Sequence, residues 1–317
     1  MASSSHPLLP TSHATALATN RPVLPAEQRK LQRCALFNPA SAGSSIFDLE
    51  SLAFTHLPKA GGSSFQQMLT SEAKRHNLTV MNVKKEFGSG GPGAGSPRAT
   101  ADLQAADVLV GHGSYQYMVD YLHWRPRATF VTLLRQPSDR LESAFRYRGG
   151  EGEEYARRIL AQGRSLQAEY EEYLRHLHMD TTALQMHRPK ATCADDEVAD
   201  ESGHFLFCRG MLSAAQVEAT VDFIRARYAV VGVLERPLDT MEVLRCRVPW
   251  VEATAFPHSD VNAQTWKYPV QLRADAAAML NATFLEDQLY ARANEILTED
   301  LECCRRRSGA TIRGERV

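Results

Sequence analysis

Residues Ser51–Phe65 read SLAFTHLPKAGGSSF, and this stretch decides the fold. The mostly apolar segment Ser51–Pro58 predicts a short buried strand that ends in a turn. The segment Ser63–Asn77 then predicts a helix, because its apolar residues recur at helical spacing and form one stripe: Phe65, Met68, Leu69 and Ala73. A strand that enters a helix through a glycine-containing turn is a recurring unit of α/β proteins.

Three further predicted strands follow this unit: Asp107–His112, Ala128–Leu134 and Tyr228–Leu234. Ala128–Leu134 is almost continuously apolar, as is typical of a parallel strand that is covered on both faces. Helices are predicted between and after these strands, at Ser138–Arg148, Glu153–Leu160, Leu166–Leu177, Ser213–Arg227, Leu238–Arg245, Gln271–Ala278 and Phe284–Leu297. This alternation predicts an α/β fold with a mainly parallel sheet flanked by helices.

The composition excludes some classes of protein. The chain has 317 residues, with 36 Lys and Arg against 37 Asp and Glu, which gives a net charge of −1. A protein that coats nucleic acid needs a strong basic excess, so we expect no nucleic-acid partner. No apolar stretch approaches the roughly 18 residues of a transmembrane helix, so we expect no membrane span.

The two ends of the chain differ from its middle. Residues 1–47 are rich in Ser, Ala, Thr and Pro and carry more basic than acidic residues, which predicts a disordered segment or a targeting segment. We place the domain at residues 48–300 and a solvated basic tail at residues 301–317, which include the run Arg305–Arg307. Lys84–Arg98 holds five glycines and predicts a flexible surface loop.

Six cysteines are present, and no two of them form a CxxC pair, so we expect no zinc site or other metal centre. Cys193 and Cys208 flank an acidic stretch that predicts a loop. A disulfide between them and two unrelated thiols are both compatible with that spacing. The sequons at Asn77 and Asn281 are compatible with a secretory route.

The turn within Thr55–Phe65 has the chemistry of an anion site. Backbone N–H groups at a helix N-terminus favour an anion, and Gly61 and Gly62 allow a phosphate to approach closely. Lys59 adds a positive charge, while Ser63 and Ser64 add hydroxyls. The pattern differs from the Walker sequence GxxxxGK[ST], because Lys59 precedes the glycines. An ordinary glycine-rich turn with a surface lysine fits the same residues.

A second strand-to-helix turn lies in Val131–Tyr147, VTLLRQPSDRLESAFRY. Arg135 follows the predicted strand, at the edge where α/β proteins bind ligands, and its planar guanidinium suits a phosphate. Ser143 lies eight residues further on, about 9 Å along the predicted helix, so Arg135 must fold back to share an anion with it. Alternatively, Arg135 caps its own helix or pairs with Asp139 or Glu142.

Taken together and in this order, THLPKAGGSSF (55–65) and LLRQPSDRLESAF (133–145) resemble the two signatures of sulfotransferases that use 3′-phosphoadenosine 5′-phosphosulfate (PAPS). The form of both is most similar to the heparan sulfate and uronyl 2-O-sulfotransferase group of Golgi carbohydrate sulfotransferases. The resemblance spans about residues 50–300 and implies a single sulfotransferase domain with a P-loop-NTPase-like fold. It implies that the 5′-phosphosulfate loop comprises Lys59, Ala60, Gly61, Gly62, Ser63 and Ser64, and that Arg135 and Ser143 hold the 3′-phosphate.

The same resemblance implies a catalytic base. In these relatives a His-Gly-His element at a strand end supplies the base, and here only its second histidine is present, as His112, with Val110 in place of the first. Histidine suits this role near neutral pH, although a structural histidine at the rim fits the same position. His56 is a rival candidate. Thr265 and Lys267, in AQTWKYP, match a polar loop that covers the donor in relatives, and an exposed amphipathic loop fits the same residues.

The expected activity is transfer of a sulfuryl group from PAPS to a hydroxyl of a glycan, with no metal required. Lys59 either stabilises the leaving phosphate or donates a proton to the bridging oxygen. The expected partner is a glycan or glycosaminoglycan. Two readings fit five arginines, a cleft for an acidic sugar chain or ordinary surface positions: Arg125, Arg127, Arg146, Arg148 and Arg188. The resemblance implies the Golgi lumen. Two alternatives stay open, which are a P-loop-type nucleotide kinase or ATPase and a non-catalytic glycan-binding relative.

Overall fold

The computed structural model describes residues 26–36, 48–83, 97–112, 115, 118–119, 122–147, 152–175, 197–199, 206–208, 214–256, 270 and 285–314. Its strands are β1 (Asp48–Thr55), β2 (Val80–Asn82), β3 (Val108–Gly111), β4 (Ala128–Leu134), β5 (Glu197–Ala199), β6 (Leu206–Cys208) and β7 (Tyr228–Val233). Five of them form one parallel sheet in the order β2-β3-β1-β4-β7, while β5 and β6 form an antiparallel pair. The prediction of an α/β fold with a parallel sheet is confirmed.

The helices of the described segments are α1 (Ala26–Leu36), α2 (Gly62–Arg75), α3 (Pro97–Ala105), α4 (Pro137–Tyr147), α5 (Gly152–Ala161), α6 (Leu166–Arg175), α7 (Ala214–Arg227), α8 (Pro237–Arg247) and α9 (Glu286–Gly314). Proline opens α3, α4 and α8 because its missing N–H is not needed in the first turn and its fixed φ suits a helix. Each of these ranges, except α9, is too short to span a bilayer, and α9 is too polar to do so.

Two apolar cores lie on the two faces of the sheet. One contains Leu109 and Phe130 from the strands, packed with Val221 of α7 and Ile296 of α9. The other core lies under α2 and α8 and contains Phe54, Phe65, Val131, Val230, Met241 and Leu244. Every residue of β4 and β7 is buried, which explains why their sequences are continuously apolar instead of alternating.

The strand order places a crevice beside the carboxyl ends of β1 and β4. From β1 the chain crosses through α2 to β2 on one side of the sheet, whereas from β4 it proceeds to β7 on the other side. Thr55 at the end of β1 pairs with Thr132 of β4 and with Gly111 of β3, so the three strands end at one edge. Ligands of open α/β sheets bind where the connections diverge in this way.

The first and last helices are fastened to each other. A disulfide joins Cys34 of α1 to Cys303 of α9, with their Cα atoms 5.7 Å apart. A second disulfide joins Cys246 of α8 to Cys304, with 5.9 Å between the Cα atoms. These pairings were not predicted, since the sequence directed attention to Cys193 and Cys208, and Cys193 lies outside the described residues.

A buried ionic cluster lies beside these disulfides. Arg33 of α1 donates two hydrogen bonds to the Asp300 carboxylate, at 2.8 and 2.7 Å, and Arg247 donates a third at 3.2 Å. Arg33 also donates to the carbonyl oxygens of Arg225 and Tyr228, at 2.6 and 3.0 Å. All three charged side chains of the cluster are nearly inaccessible to solvent.

These contacts differ from what the sequence indicated for the two ends of the chain. Residues 26–36 form a docked helix within the segment 1–47 that was expected to be disordered or a targeting segment. Helix α9 continues through residue 314, and Cys303 and Cys304 are buried, so the structured part does not end at residue 300. The physical reason is the covalent and ionic attachment of α1 to α9, whose partners are more than 260 residues apart in sequence.

Candidate functional site

A tight turn joins β1 to α2 and carries Lys59. Lys59 and Gly61 both have left-handed backbones, with φ of 63° and 77°. Glycine is favoured at residue 61, because L side chains rarely adopt this φ and a Cβ would lie 2.7 Å from Leu234 Cδ1, whose side chain would have to shift. The Ala60 N–H donates to the Leu57 carbonyl oxygen at 3.4 Å and its side chain is buried, so Ala60 serves the turn and the core.

Helix α2 begins directly after this turn. Gly61 is its N-cap, without a side-chain capping hydrogen bond, and no acidic residue lies in the first turn. Ser63 and Ser64 lie in that first turn and are half-buried. A helix N-terminus with glycine and hydroxyl residues and no carboxylate is an environment that suits a bound anion.

The second turn joins β4 to α4 and carries Arg135, which is half-buried. The Arg135 Nη1 donates to the carbonyl oxygen of Lys59 at 3.3 Å, so one turn contacts the other. The next residue, Gln136, donates its N–H to Glu235 at 2.9 Å, and Glu235 accepts a second hydrogen bond from the Tyr290 hydroxyl at 2.8 Å. The turn that carries Arg135 is thereby tied to the end of β7 and to α9.

The two turns border one cavity of about 320 Å³. Its lining residues come from the turn after β1, the turn after β4 and one face of α4, and they are Lys59, Arg135, Asp139, Glu142, Ser143, Arg146 and Tyr147. Lys59, Arg135 and Ser143, which the sequence assigned to the two ends of one ligand, are thus brought together. Gly61, Gly62, Ser63 and Ser64 are close in sequence to Lys59 but are not lining residues of this cavity.

The cavity holds three cations and two carboxylates. Glu142 forms an ion pair with Arg146 one helical turn later, which occupies both charges. Burial lowers the pKa of Lys59 below its ordinary value of 10.5, and the nearby Arg135 guanidinium lowers it further. The Lys59 ammonium lies 4.0 Å from the centroid of the Tyr147 ring, over its face. A dianionic ligand would find two adjacent cations, Lys59 and Arg135, at one wall.

His112 follows β3 at the same sheet edge. Its Nδ1 lies 2.9 Å from the His56 carbonyl oxygen. Because a carbonyl can only accept, Nδ1 carries a proton, and in the neutral ring Nε2 is the basic nitrogen. The His112 ring stacks on the His56 ring, with the centroids 4.0 Å apart. His112 does not line the cavity of Lys59 and Arg135, but it contacts His56, which lies just before the turn that carries Lys59.

His56 packs against the start of α2. A Cβ at Gly62 would lie 2.1 Å from His56 Cδ2, so only glycine leaves room for the ring. His56 is buried, and its Nδ1 is 3.3 Å from Gln66 Oε1. These contacts give His56 a packing role beside His112. Val110 is a buried core residue of β3.

The sequence missed part of the site. Tyr147, Asp139 and Glu142 line the cavity beside Ser143. Asp139 and Tyr147 each lie four residues from Ser143, which was the available signal, whereas Glu142 directly precedes it. The predicted lid residues Thr265 and Lys267 lie outside the described residues. Within the described ranges, His, Cys, Asp and Glu side chains do not gather in groups of three or more that could hold a metal ion.

Comparisons with known proteins do not identify a family. No protein-family model matches the chain, and no curated protein matches it. Function is therefore inferred from the residues of the site and their contacts.

Proposed function

We propose that this protein transfers a sulfuryl group from PAPS to a hydroxyl of a glycan. The observation that carries the proposal is the single cavity in which Lys59, from the turn after β1, lies with Arg135 and Ser143, from the turn after β4. PAPS carries a phosphosulfate at one end and a phosphate on its ribose, so it needs two anion sites at a fixed separation. The proposal includes a P-loop-NTPase-like form of the observed parallel α/β fold.

Each residue has a role in this proposal that its chemistry supports. Arg135 and the Ser143 hydroxyl bind the 3′-phosphate, and the first turn of α2, with Ser63 and Ser64, binds the phosphosulfate. Lys59 places its positive charge at the oxygen that bridges phosphorus and sulfur, where negative charge grows as the sulfur–oxygen bond breaks. The anion that leaves is adenosine 3′,5′-bisphosphate.

His112 is the general base of the proposal. Its Nδ1 proton is engaged by the His56 carbonyl oxygen, so Nε2 can take the proton of the acceptor hydroxyl while that oxygen bonds to sulfur. The stacked His56 ring and the backbone contact hold the imidazole in one orientation.

Of the five arginines that the sequence suggested for a glycan cleft, the three that the structure describes do not lie together. Arg146 lines the cavity, whereas Arg125 contacts Ser51 and Gln104 at the amino ends of the strands, the opposite edge of the sheet. Arg127 directly precedes β4 at that same edge. Arg148 and Arg188 lie outside the described residues. Among the described arginines of that set, Arg146 alone lines the cavity, and an acidic acceptor would have to compete there with Glu142 for its guanidinium.

The two disulfides between described residues are compatible with a luminal or secreted protein, because such bonds persist in oxidising compartments. We include the Golgi lumen in the proposal, since glycan sulfation by the resembling enzymes takes place there.

The test has a binding arm and a transfer arm. Calorimetry should show that adenosine 3′,5′-bisphosphate binds and that Arg135→Ala weakens it, with Arg157→Ala on the exposed face of α5 as the matched control. Sulfate-labelled PAPS is then incubated with desulfated polysaccharides and glycoproteins. Transfer to a glycan supports the proposal. Binding without transfer to any acceptor favours a non-catalytic relative, and magnesium-dependent phosphate release from ATP favours the kinase or ATPase. Either result overturns the proposal.

A further inference from the structure

The side chains of Lys59 and Tyr147 contact each other in the lining of the cavity. The Lys59 ammonium lies over the Tyr147 ring, 4.0 Å from its centroid, and both residues line the cavity. Tyr147 is the last residue of α4 and is 37% exposed. The face of an aromatic ring carries partial negative charge and attracts a cation at this distance.

Lys59 needs such a partner because its surroundings disfavour a fixed ammonium. Its backbone is set by the left-handed φ of 63° and by the hydrogen bond from Arg135 to its carbonyl oxygen. Those contacts do not fix the conformation of its flexible four-carbon side chain, and the Arg135 guanidinium repels the ammonium. The carboxylates of Asp139 and Glu142 line the same cavity, but among the ion pairs of the described residues neither is bonded to Lys59.

We propose that Tyr147 is a positioning residue that holds the Lys59 ammonium at the cavity wall before an anion binds. The role given to Lys59 rests on the proposed function, whereas the cation–ring contact does not. Holding the ammonium in advance lowers the ordering cost at the moment of binding, and it places the charge where the leaving phosphate develops its own. Tyr147 acts through Lys59 and need not touch the reacting atoms.

The contact itself is tested by NMR, without reference to any activity. The chain has seven lysines, so protein labelled with ¹³C-lysine gives few side-chain signals, and Lys59→Arg identifies the one from Lys59. Protons over the face of a ring are shifted upfield by its ring current. We expect an upfield-shifted Lys59 Hε signal that survives in Tyr147→Phe and returns to the position of an ordinary lysine in Tyr147→Leu. A Lys59 signal at the ordinary position in the unmodified protein would overturn the proposal.

The effect of the Tyr147–Lys59 contact on catalysis is tested by the kinetics of sulfuryl transfer. The attraction of a half-buried ammonium to a ring corresponds to roughly a 5- to 30-fold effect, so kcat of Tyr147→Leu should fall by about that factor. Tyr147→Phe loses only the hydroxyl and keeps the ring face, so its kcat should stay close to that of the parent. Because Tyr147 is partly exposed at a helix end, both variants should keep the circular dichroism of the parent.

The outcomes separate the two proposals. If no preparation transfers sulfate, the proposed function fails, while the ring-current shift still decides whether Tyr147 holds Lys59. If Tyr147→Leu keeps the kcat and PAPS affinity of the parent, the positioning role is wrong even when sulfate transfer is demonstrated.

Discussion

Replacing Gly62 by alanine places a methyl group where the ring of His56 lies. The added Cβ would be 2.1 Å from Cδ2, 2.5 Å from Nε2 and 2.9 Å from Cγ of that ring. Ordinary contact begins at 3.4 Å, so the ring must retreat by about 1.3 Å. Its retreat is opposed by the His112 ring at 4.0 Å and the Phe54 ring at 5.8 Å. Overpacking of this kind costs about 1–3 kcal/mol of unfolding free energy.

Displacement of the His56 ring also affects His112, the proposed base. The His56 carbonyl oxygen accepts the His112 Nδ1 proton, and the two rings stack, so a shift of His56 moves His112. A misplacement of about 1 Å in a catalytic group can cost about 100-fold in rate. We therefore expect Gly62→Ala to lose both stability, measured by urea unfolding of the oxidised protein, and sulfate transfer, measured with labelled PAPS.

A double-mutant cycle isolates the clash. If His56 is the obstacle, His56→Ala removes it, and the double variant should be more stable than the sum of the two single losses by about 1 kcal/mol or more. Gly163→Ala is the control, because Gly163 has a φ of 69° with nothing within 4 Å of the added Cβ. Gly163→Ala should lower the free energy of unfolding by about 1–2 kcal/mol because of its left-handed backbone alone, and His56→Ala should not change that loss. Strict additivity of Gly62→Ala and His56→Ala would refute the reasoning.

Further predictions concern the cavity and the attachment of α1 to α9. Arg135→Ala should weaken the binding of adenosine 3′,5′-bisphosphate by about 10- to 100-fold in calorimetry, because a charged hydrogen-bond donor is lost. The protonated form of Lys59 favours an anion, so this affinity should fall as pH rises through the lowered pKa of Lys59, below the ordinary 10.5. In Lys59→Arg, the fall in affinity should move to higher pH. An unchanged pH profile of the affinity would contradict the role assigned to Lys59. Asp300→Asn removes the charge that compensates the buried Arg33 and Arg247, and urea unfolding should show a loss of about 3–5 kcal/mol. Reduction of both disulfides should lower the unfolding midpoint, and an unchanged midpoint would show that they do not stabilise the protein.

The central sheet was largely predictable because its signals are local. The continuous apolar run of β4 and the proline that opens α4 lie within twenty residues of each other, and the structure places both as expected. β2 has only three residues and depends on pairing with β3, so no pattern within it distinguishes it from a loop.

The attachment of the two end helices could not be derived in the same way. The sequence around Arg33 resembles a disordered basic segment, and its order depends on partners distant in sequence, among them Asp300 and Cys303. Spacing alone favoured Cys193 and Cys208 because they are near each other. In the cavity, the motifs provided Lys59 and Arg135, but the contact with Tyr147 depends on the angle at which α4 leaves the sheet.

The disulfide between Cys34 and Cys303 encloses nearly the whole folded chain in one covalent ring. A mechanical load applied to the two termini therefore acts on this disulfide and on the short stretches outside residues 34–303. The parallel strands lie inside the ring and do not bear the load. While that bond is intact, the length released by pulling is limited to the residues outside the ring. The sheet edge that carries the cavity would keep its shape under tension that would unravel an uncrosslinked chain.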